Sequence, residues 1–376
     1  MMRIAFFGGR QFVGNRPFDW DHVDDSPRGL TGSDNSFLGQ VRAMRDRGHD
    51  VRLFVHGSPH RTWEGIPLAP SWDLGDQPGF DAVVGWNEAD VFARVHPSAA
   101  RASCNQLVNY DFACRDFEKS VDLFLAISQW QWNLLRERAH DRSLDSATYR
   151  ILPNGCDLNA YPKVDKVKGL CAYTSSPDRA LHVVSLAWPH ILEHVPWARL
   201  RVYYHSYAHW LEVTENWSTH PEPAKRELAR RAGIVKQALE RHKDTIEFVG
   251  GVSRQRLAKE LSEAEVLLYP ADPTVPTETF GVAVIEGCAS GALPVISSAD
   301  CFGEVYGGSC PQVPAPAEQY LDAYVKLAVR AMTDQTWADA WRARARALAE
   351  RHAWPVLAEK LEGYLLEAIE KKREAA

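Results

Sequence analysis

Glu278 and Glu286 stand eight positions apart in Pro276-Thr-Glu-Thr-Phe-Gly-Val-Ala-Val-Ile-Glu-Gly-Cys-Ala-Ser-Gly-Ala-Leu-Pro-Val-Ile-Ser297. The segment reads as a loop, a short helix and a buried strand. The apolar run 282–285 and the small residues 287–290 suit a helix packed closely on a sheet, and Gly291 sits where a helix end wants a left-handed residue. Phe280 and Gly281 fall in the expected first turn, where backbone N–H groups lack partners and attract anions. At about 1.5 Å per residue, eight positions span about 12 Å. That length suits a ligand with hydroxyls at both ends and a diphosphate between, from hexose to ribose in a nucleotide-sugar. Glu278 would hold sugar hydroxyls, Glu286 ribose hydroxyls, and the amides near Thr279, Phe280, Gly281 and Val282 the phosphates. Two solvated glutamates on a surface helix are the plain alternative.

A second candidate is Tyr173-Thr-Ser-Ser-Pro-Asp-Arg-Ala180. Ser176 is a good N-cap, Pro177 suits the first helical position and Asp178 favours the first turn. Arg179 would then project from a helix start, where a cation and free amides together bind a diphosphate. A capped helix with a solvated arginine is the alternative. A third candidate is the turn Gly29-Leu-Thr-Gly-Ser-Asp34, in which Gly32 and Ser33 precede a helix. A fourth is Asn109-Tyr-Asp111: Asp111, with Tyr110 beside it, either positions a reacting group or caps the following segment. Gly250-Gly251-Val252 is the last, a tight turn before Ser253, itself a good N-cap.

These segments resemble the retaining GT-B glycosyltransferases of the large GT4-like "group 1" family. The family usually carries Glu-Gly-Phe-Gly where this chain has Glu278-Thr-Phe-Gly281, so Thr279 replaces a glycine. It also carries an arginine followed by Glu-Lys-Gly; Arg179 matches the lysine, and Thr174 or Ser175 stands where the arginine would be. Gly32 and Ser33 match the family's glycine-rich turn toward donor phosphates and acceptor, and Asp111 a position near the anomeric carbon. Gly250, Gly251 and Val252 match the stretch under the nucleotide base, and Asn154-Gly-Cys-Asp157 the family's domain-closing turn. The resemblance implies two Rossmann-like, doubly wound parallel-sheet domains facing across a cleft. It also implies sugar transfer, with retention, from a nucleotide-diphosphate sugar to a hydroxyl acceptor on a glycan, lipid-linked or small molecule. No metal or other cofactor is expected.

The elements that must position these groups follow from hydrophobic periodicity. Strands are expected at 3–7, 51–55, 82–84, 106–108, 123–127 and 151–152, and again at 170–173, 200–204, 246–249, 266–269 and 293–296. Helices separate them, the first with the stripe Phe37, Val41 and Met44. This β-α-β succession argues for parallel α/β sheets. The expected domains are 1–162, for the acceptor, and 163–376, for the donor. A final helix at about 354–370 would pack back on the N-terminal domain. Residues 8–31 hold no clear element; a loop that long inside a domain is usually functional, here to shape the acceptor pocket, with simple disorder as the alternative.

Composition sets outer limits. The 376 residues suit two domains; 45% are apolar and 24% charged, a soluble globular profile. A net charge of −6 argues against nucleic acid. Seven cysteines without ligand spacing read as buried thiols. No membrane span or signal peptide is evident, so a cytoplasmic protein is expected. Of thirteen tryptophans, Trp188, Trp197, Trp337, Trp341 and Trp354 read as core. Trp20, Trp63, Trp72 and Trp86, in N-terminal loops or at a strand end, either stack on sugar faces or close the cleft. Asp19-Trp-Asp21 matches a D-x-D metal motif but lacks its flanking strand. Peripheral membrane contact through Arg342-Ala-Arg-Ala-Arg346 or the Lys-rich C-terminus competes with a solvated basic face. Oligomeric state is not encoded in any motif. Rival functions are a sugar phosphorylase of the same fold, a non-catalytic nucleotide-sugar-binding protein and, lacking G-x-G-x-x-G, a dinucleotide-dependent dehydrogenase.

Overall fold

The structure is a computed structural model that describes residues 1–9, 18–26, 30–75, 77–88, 90–108, 121–139, 144, 147–272, 274–316 and 318–374. The chain divides into two compact units. The first comprises Met1–Val23, Thr31–Gly155 and His352–Ala376, and the second Asp24–Leu30 and Cys156–Arg351. The division falls at Gly155, ahead of 162, because Cys156 and Tyr161 are already buried in the second unit.

The first unit holds an eight-stranded sheet. Its strands are β1 (Arg3–Gly8), β2 (Asp50–Val55), β3 (Arg61–Trp63), β4 (Ile66–Pro70), β5 (Ala82–Trp86), β6 (Ala100–Asn105), β7 (Leu123–Ala126) and β8 (Tyr149–Ile151). They run in the order β3-β4-β2-β1-β5-β6-β7-β8. All neighbours are parallel except the β3–β4 hairpin. The strand expected at 106–108 lies instead at Ala100–Asn105. Its small residues give little β signal, yet they are buried between β5 and β7. Past it, the Leu107 carbonyl accepts from Gln131 (3.0 Å) and the Val108 carbonyl from Arg138 (2.7 Å), so side chains replace a ladder.

Helix α1 (Gly32–Asp46) is capped by Thr31, with a reciprocal capping box to Asp34, so Gly32 and Ser33 lie inside its first turn rather than ahead of it. Helix α2 (Gln129–Arg138) starts from Ser128, whose side chain accepts from the Gln131 amide. The last helix, which becomes α11 in chain order (Trp354–Glu374), packs on α1 and β6. Its Trp354 ring fills the space where side chains at Gly39 and Gly155 would stand.

The second unit holds the six-stranded parallel sheet β11-β10-β9-β12-β13-β14. Its strands are β9 (Val167–Tyr173), β10 (Arg199–Val202), β11 (Ile246–Phe248), β12 (Ala264–Tyr269), β13 (Leu293–Ser297) and β14 (Gln312–Val313). Its helices are α3 (Leu181–His194), α4 (Tyr207–Glu215), α5 (Pro223–Arg241), α6 (Arg254–Glu263), α7 (Val282–Ser290), α8 (Phe302–Tyr306), α9 (Tyr320–Thr333) and α10 (Gln335–Arg351). Helices α5 and α9 pack on α3, while α6 and α10 pack on α7. Strands β9 and β12 are neighbours at the sheet centre, and the chain leaves β9 toward β10 but β12 toward β13. Such a reversal of strand order leaves a crevice at the carboxyl ends of the two strands.

Several tryptophan expectations change. Trp197 is 42% exposed, whereas Trp20, Trp63 and Trp86 are buried. Trp20 donates to Ser58 (2.8 Å) and meets Trp63 edge-on, so described residues of the long 8–31 segment are anchored by an aromatic core contact. Asp21 pairs with Arg61 at 2.6 Å, which accounts for one carboxylate of the D-x-D sequence. The basic run in α10 is only partly solvated: Arg344 is exposed, whereas Arg342 donates to the Glu265 carbonyl (3.2 Å) and Arg346 to the Ala289 carbonyl (2.8 Å). Among the described residues, no helix is long and apolar enough to cross a membrane.

Candidate functional site

The crevice beyond β9 and β12 is built from two short connections. After β9 the chain makes one tight 3-10 turn, Pro177–Arg179, rather than entering the helix directly. Ala180 is left-handed (φ 90°), and α3 starts only at Leu181. Ser176 does not cap the turn; its hydroxyl instead bonds the Asp178 carboxylate. This extra turn leaves Arg179 outside the helix and turned across to the connection after β12. There its guanidinium donates to the Thr277 carbonyl, and its Nε lies 3.6 Å from Glu278 Oε1.

Glu278 is 7% exposed. The Tyr269 hydroxyl donates to Glu278 Oε1 at 2.6 Å and lies 2.9 Å from Ser175 Oγ. Asp300 accepts from the backbone amides of Thr277 and Glu278, both at 2.9 Å. Burial raises the carboxyl of Glu278 above its ordinary range, against the pull of Arg179 and Tyr269. Burial raises Asp300 likewise, opposed by the two amides it accepts from. Arg179 stays above its ordinary value even though burial opposes its charge, because Glu278, Tyr269 and Asp178 surround it. The side chains here are held in place by one another before any ligand arrives, as preorganised sites require.

The connection ends at Gly281, which is the N-cap of α7 and left-handed at φ 79°. A Cβ built there would collide with the Phe302 ring. The Tyr306 hydroxyl donates to the Gly281 carbonyl at 3.0 Å. Phe280 therefore lies ahead of the first turn, its ring buried against Tyr306, and only the amides from Gly281 onward belong to the helix mouth. Thr279 occupies the bend between Glu278 and Phe280.

Glu286 lies one turn and a half into α7 and is 4% exposed. Arg254, the first residue of α6, donates to Glu286 Oε1 at 2.5 Å. Arg254 also bonds the buried Tyr161 hydroxyl, and burial together with Glu286 drives that phenol well above its ordinary value. The Arg254 amide donates to the Asp24 carbonyl at 3.0 Å, docking part of the N-terminal connection on this unit. Immediately before it, Gly250 is left-handed (φ 85°) with open space beside it, Gly251 and Val252 follow, and Ser253 caps α6 as expected.

The structure thus gathers Ser175, Arg179, Glu278 and Gly281 at one mouth, and Glu286 with Arg254 on α7 and α6. Of the first-unit candidates, Gly32 is the first residue of α1, and Ser33 Oγ accepts from Trp86 Nε1 (3.1 Å) and Asn87 Nδ2 (3.4 Å). Tyr110 and Asp111 lie outside the described residues. Sequence reading missed Tyr269, Asp300, Arg254 and Tyr161. Only Arg254 left a signal, a charged side chain directly after the Gly-Gly-Val-Ser cap.

No protein-family model matches the sequence, and no curated protein matches it. Solved structures do match over nearly the whole chain. The sucrose-phosphate synthase of Thermosynechococcus elongatus has a TM-score of 0.67 at 14% identity, covering 98% of this chain and 99% of that one. AviGT4, a glycosyltransferase involved in avilamycin A biosynthesis, has a TM-score of 0.66 at 16% identity, covering 98% of each chain. Anabaena HepE, solved in complex with UDP and glucose, has a TM-score of 0.64 at 13% identity, covering 98% of this chain and all of that one. At such identities the likeness speaks for architecture, and the chain has the α/β fold of the GT-B glycosyltransferases, with two parallel-sheet units.

Proposed function

We propose that the protein is a GT4-like glycosyltransferase that moves a sugar, with retention, from a nucleotide-diphosphate sugar to a hydroxyl acceptor. The observation that carries this reading is the pairing of Arg179 with Glu278 at 3.6 Å, beside the Gly281 mouth of α7 and at the reversal of strand order. Neighbouring structures hold UDP and UDP-glucose, which favours a uridine donor.

In this reading Arg179 and the amides of Gly281 and Val282 receive the diphosphate. Glu278, steadied by Tyr269 and Asp300, accepts hydrogen bonds from sugar hydroxyls. Glu286 does the same for the ribose, using acceptor positions that Arg254 leaves, since a carboxylate has about four. Gly250, Gly251 and Val252 run beside the base. During transfer the bond from the anomeric carbon to the diphosphate breaks and the acceptor oxygen bonds to that carbon. The acceptor's proton leaves with the diphosphate, whose growing charge Arg179 meets without a resident metal. Tyr110 and Asp111 are assigned to the reacting carbon, Gly32 and Ser33 to the phosphates, and residues 8–31 to the acceptor. The protein is assigned to the cytoplasm.

A thermal-shift panel of UDP-, GDP-, ADP- and dTDP-glucose tests the donor assignment. Stabilisation by one nucleotide class, followed by release of that nucleotide when an acceptor is added, is expected. Stabilisation by none would overturn the reading, and binding without transfer or hydrolysis would leave a sensor.

A further inference from the structure

The second unit carries another cavity, of about 470 Å³, between the first turn of α3, the middle of α5 and the chain that runs from β12 toward Glu278. Neither Arg179, Glu278 nor Glu286 lines it. Its volume falls within the range of small-molecule sites, about 300–1,000 Å³.

The wall is built rather than incidental. Arg231, 9% exposed, donates to the Asp272 carboxylate, to Thr274 Oγ1 (2.9 Å) and to Glu227 Oε1 (2.9 Å). Asp272, 2% exposed, also accepts from the Thr274 amide at 2.8 Å and hydroxyl at 2.6 Å. Arg230 pairs with Glu227 at 2.7 Å. Two guanidiniums therefore face two carboxylates, and the lining has no net charge to offer a phosphate or a carboxylate.

One group in this wall is left over. His182 is 7% exposed, lines the cavity, and its Nδ1 has no partner among the described residues. Burial, with Arg231 adding to it, pushes the imidazole down to about 4, so the ring is neutral near pH 7. A neutral buried ring nitrogen without a partner is costly unless a ligand supplies one. Val183 and Val275 add apolar surface to the same lining.

A neutral, hydroxyl-rich ligand meets all of these features. A hydroxyl can both donate and accept, so it serves either tautomer of His182 and the remaining lone pairs of the carboxylates. The C–H face of a pyranose would cover the valines. We propose that this cavity is a carbohydrate subsite, distinct from the Arg179–Glu278 mouth, that takes a neutral mono- or disaccharide unit. Its occupant would hold the Asp272–Thr274 end of the connection whose other end presents the Thr277 carbonyl to Arg179. The sugar comes either from the glycan part of an acceptor or from a free saccharide.

The test titrates the full chain, without any donor, with glucose, mannose, galactose, N-acetylglucosamine, maltose and cellobiose. Calorimetry and the imidazole ¹⁵N resonances of His182 provide the readouts. At least one saccharide is expected to bind and shift His182, with affinity falling by about tenfold, or 1.4 kcal/mol, in Val275→Trp and in His182→Ala. Val275 is 44% exposed, so a larger side chain can fill the cavity without entering the core. Nucleotide affinity should stay unchanged in both variants. Elongation of the bound saccharide in the presence of a sugar donor marks an acceptor glycan, and binding without elongation marks a free sugar. No binding by any member of the panel, or binding that survives both variants, would overturn the proposal. Because binding is read without donor, failure of the donor assignment leaves this outcome intact.

Discussion

Arg254 Nη2 lies 2.5 Å from Glu286 Oε1, and both side chains are largely buried. The pair joins the start of α6 to the middle of α7, and Tyr161 closes it from the segment just after the division between the units. Glu286 is therefore held in one place by groups from two other parts of the chain. In the proposed ribose role Glu286 would be oriented before the ligand arrives, and the bond from Arg254 would supply that orientation.

Removing one partner of a buried pair leaves an uncompensated charge, at a cost of about 3–5 kcal/mol. Arg254→Met should lower the unfolding free energy by that order in urea denaturation. The double variant Arg254→Met/Glu286→Gln should recover most of the loss, since no lone charge remains. Nucleotide affinity, read by calorimetry, should stay weak in the double variant. Wild-type affinity there would remove Glu286 from the ribose role.

Arg179 carries the most demanding part of the proposed chemistry. Arg179→Ala should reduce kcat by about 10²–10³, the usual effect of losing one preorganised charge-stabilising donor. Tyr269→Phe removes a hydroxyl that touches Glu278 and Ser175 but leaves the guanidinium, so its effect on kcat should be smaller. Single-turnover kinetics with the donor identified by the panel would check the ranking. A near-normal rate for Arg179→Ala would take it out of the phosphate site.

Much of the scaffold is legible because β9, β12 and β13 contain apolar runs at 170–173, 266–269 and 293–296, and the caps at Ser128 and Ser253 are locally encoded. The strand at Ala100–Asn105 is not, because alanine, serine and asparagine become strand only through burial between two neighbours. The 3-10 turn at Pro177–Arg179 was hidden for a different reason. Ser-Pro-Asp is a good helix start, but a left-handed Ala180 interrupts it, and alanine gives no warning of that conformation. Glu278, Glu286 and Arg179 could be named from type and spacing. Tyr269, Asp300, Arg254 and Tyr161 reach them only through tertiary packing, which spacing along the chain does not carry.

Gly281 combines a left-handed backbone with contact against Phe302. An L-residue in that conformation costs about 1–2 kcal/mol, and the collision adds to it. Gly281→Ala should therefore lose about 2 kcal/mol or more of stability in thermal or urea unfolding. Because the same residue opens α7, nucleotide affinity should fall further than in a control of equal stability such as Gly287→Ala, whose Cβ would meet Leu267 inside the core. Equal affinity in the two variants would show that the helix mouth takes no part in binding.

His182 gives the structure a pH dependence with a defined sign. Its folded-state pKa is depressed to about 4 from an ordinary 6.5, by burial first and by Arg231 and Arg230, with Asp272 and Glu227 opposing. Between these values the unfolded chain binds a proton that the folded chain refuses, so stability falls as pH drops from about 6.5 to about 4 and the effect levels off below that. His182→Gln removes the titrating group and should flatten this part of the profile by up to one proton. Urea denaturation at intervals from pH 7 to pH 4 measures the difference, since distant carboxylates contribute nearly equally to both proteins and cancel. Parallel profiles would mean that the folded and unfolded chains bind this proton equally, so that burial does not hold the ring neutral between pH 6.5 and pH 4 and the case for an unmet neutral Nδ1 falls.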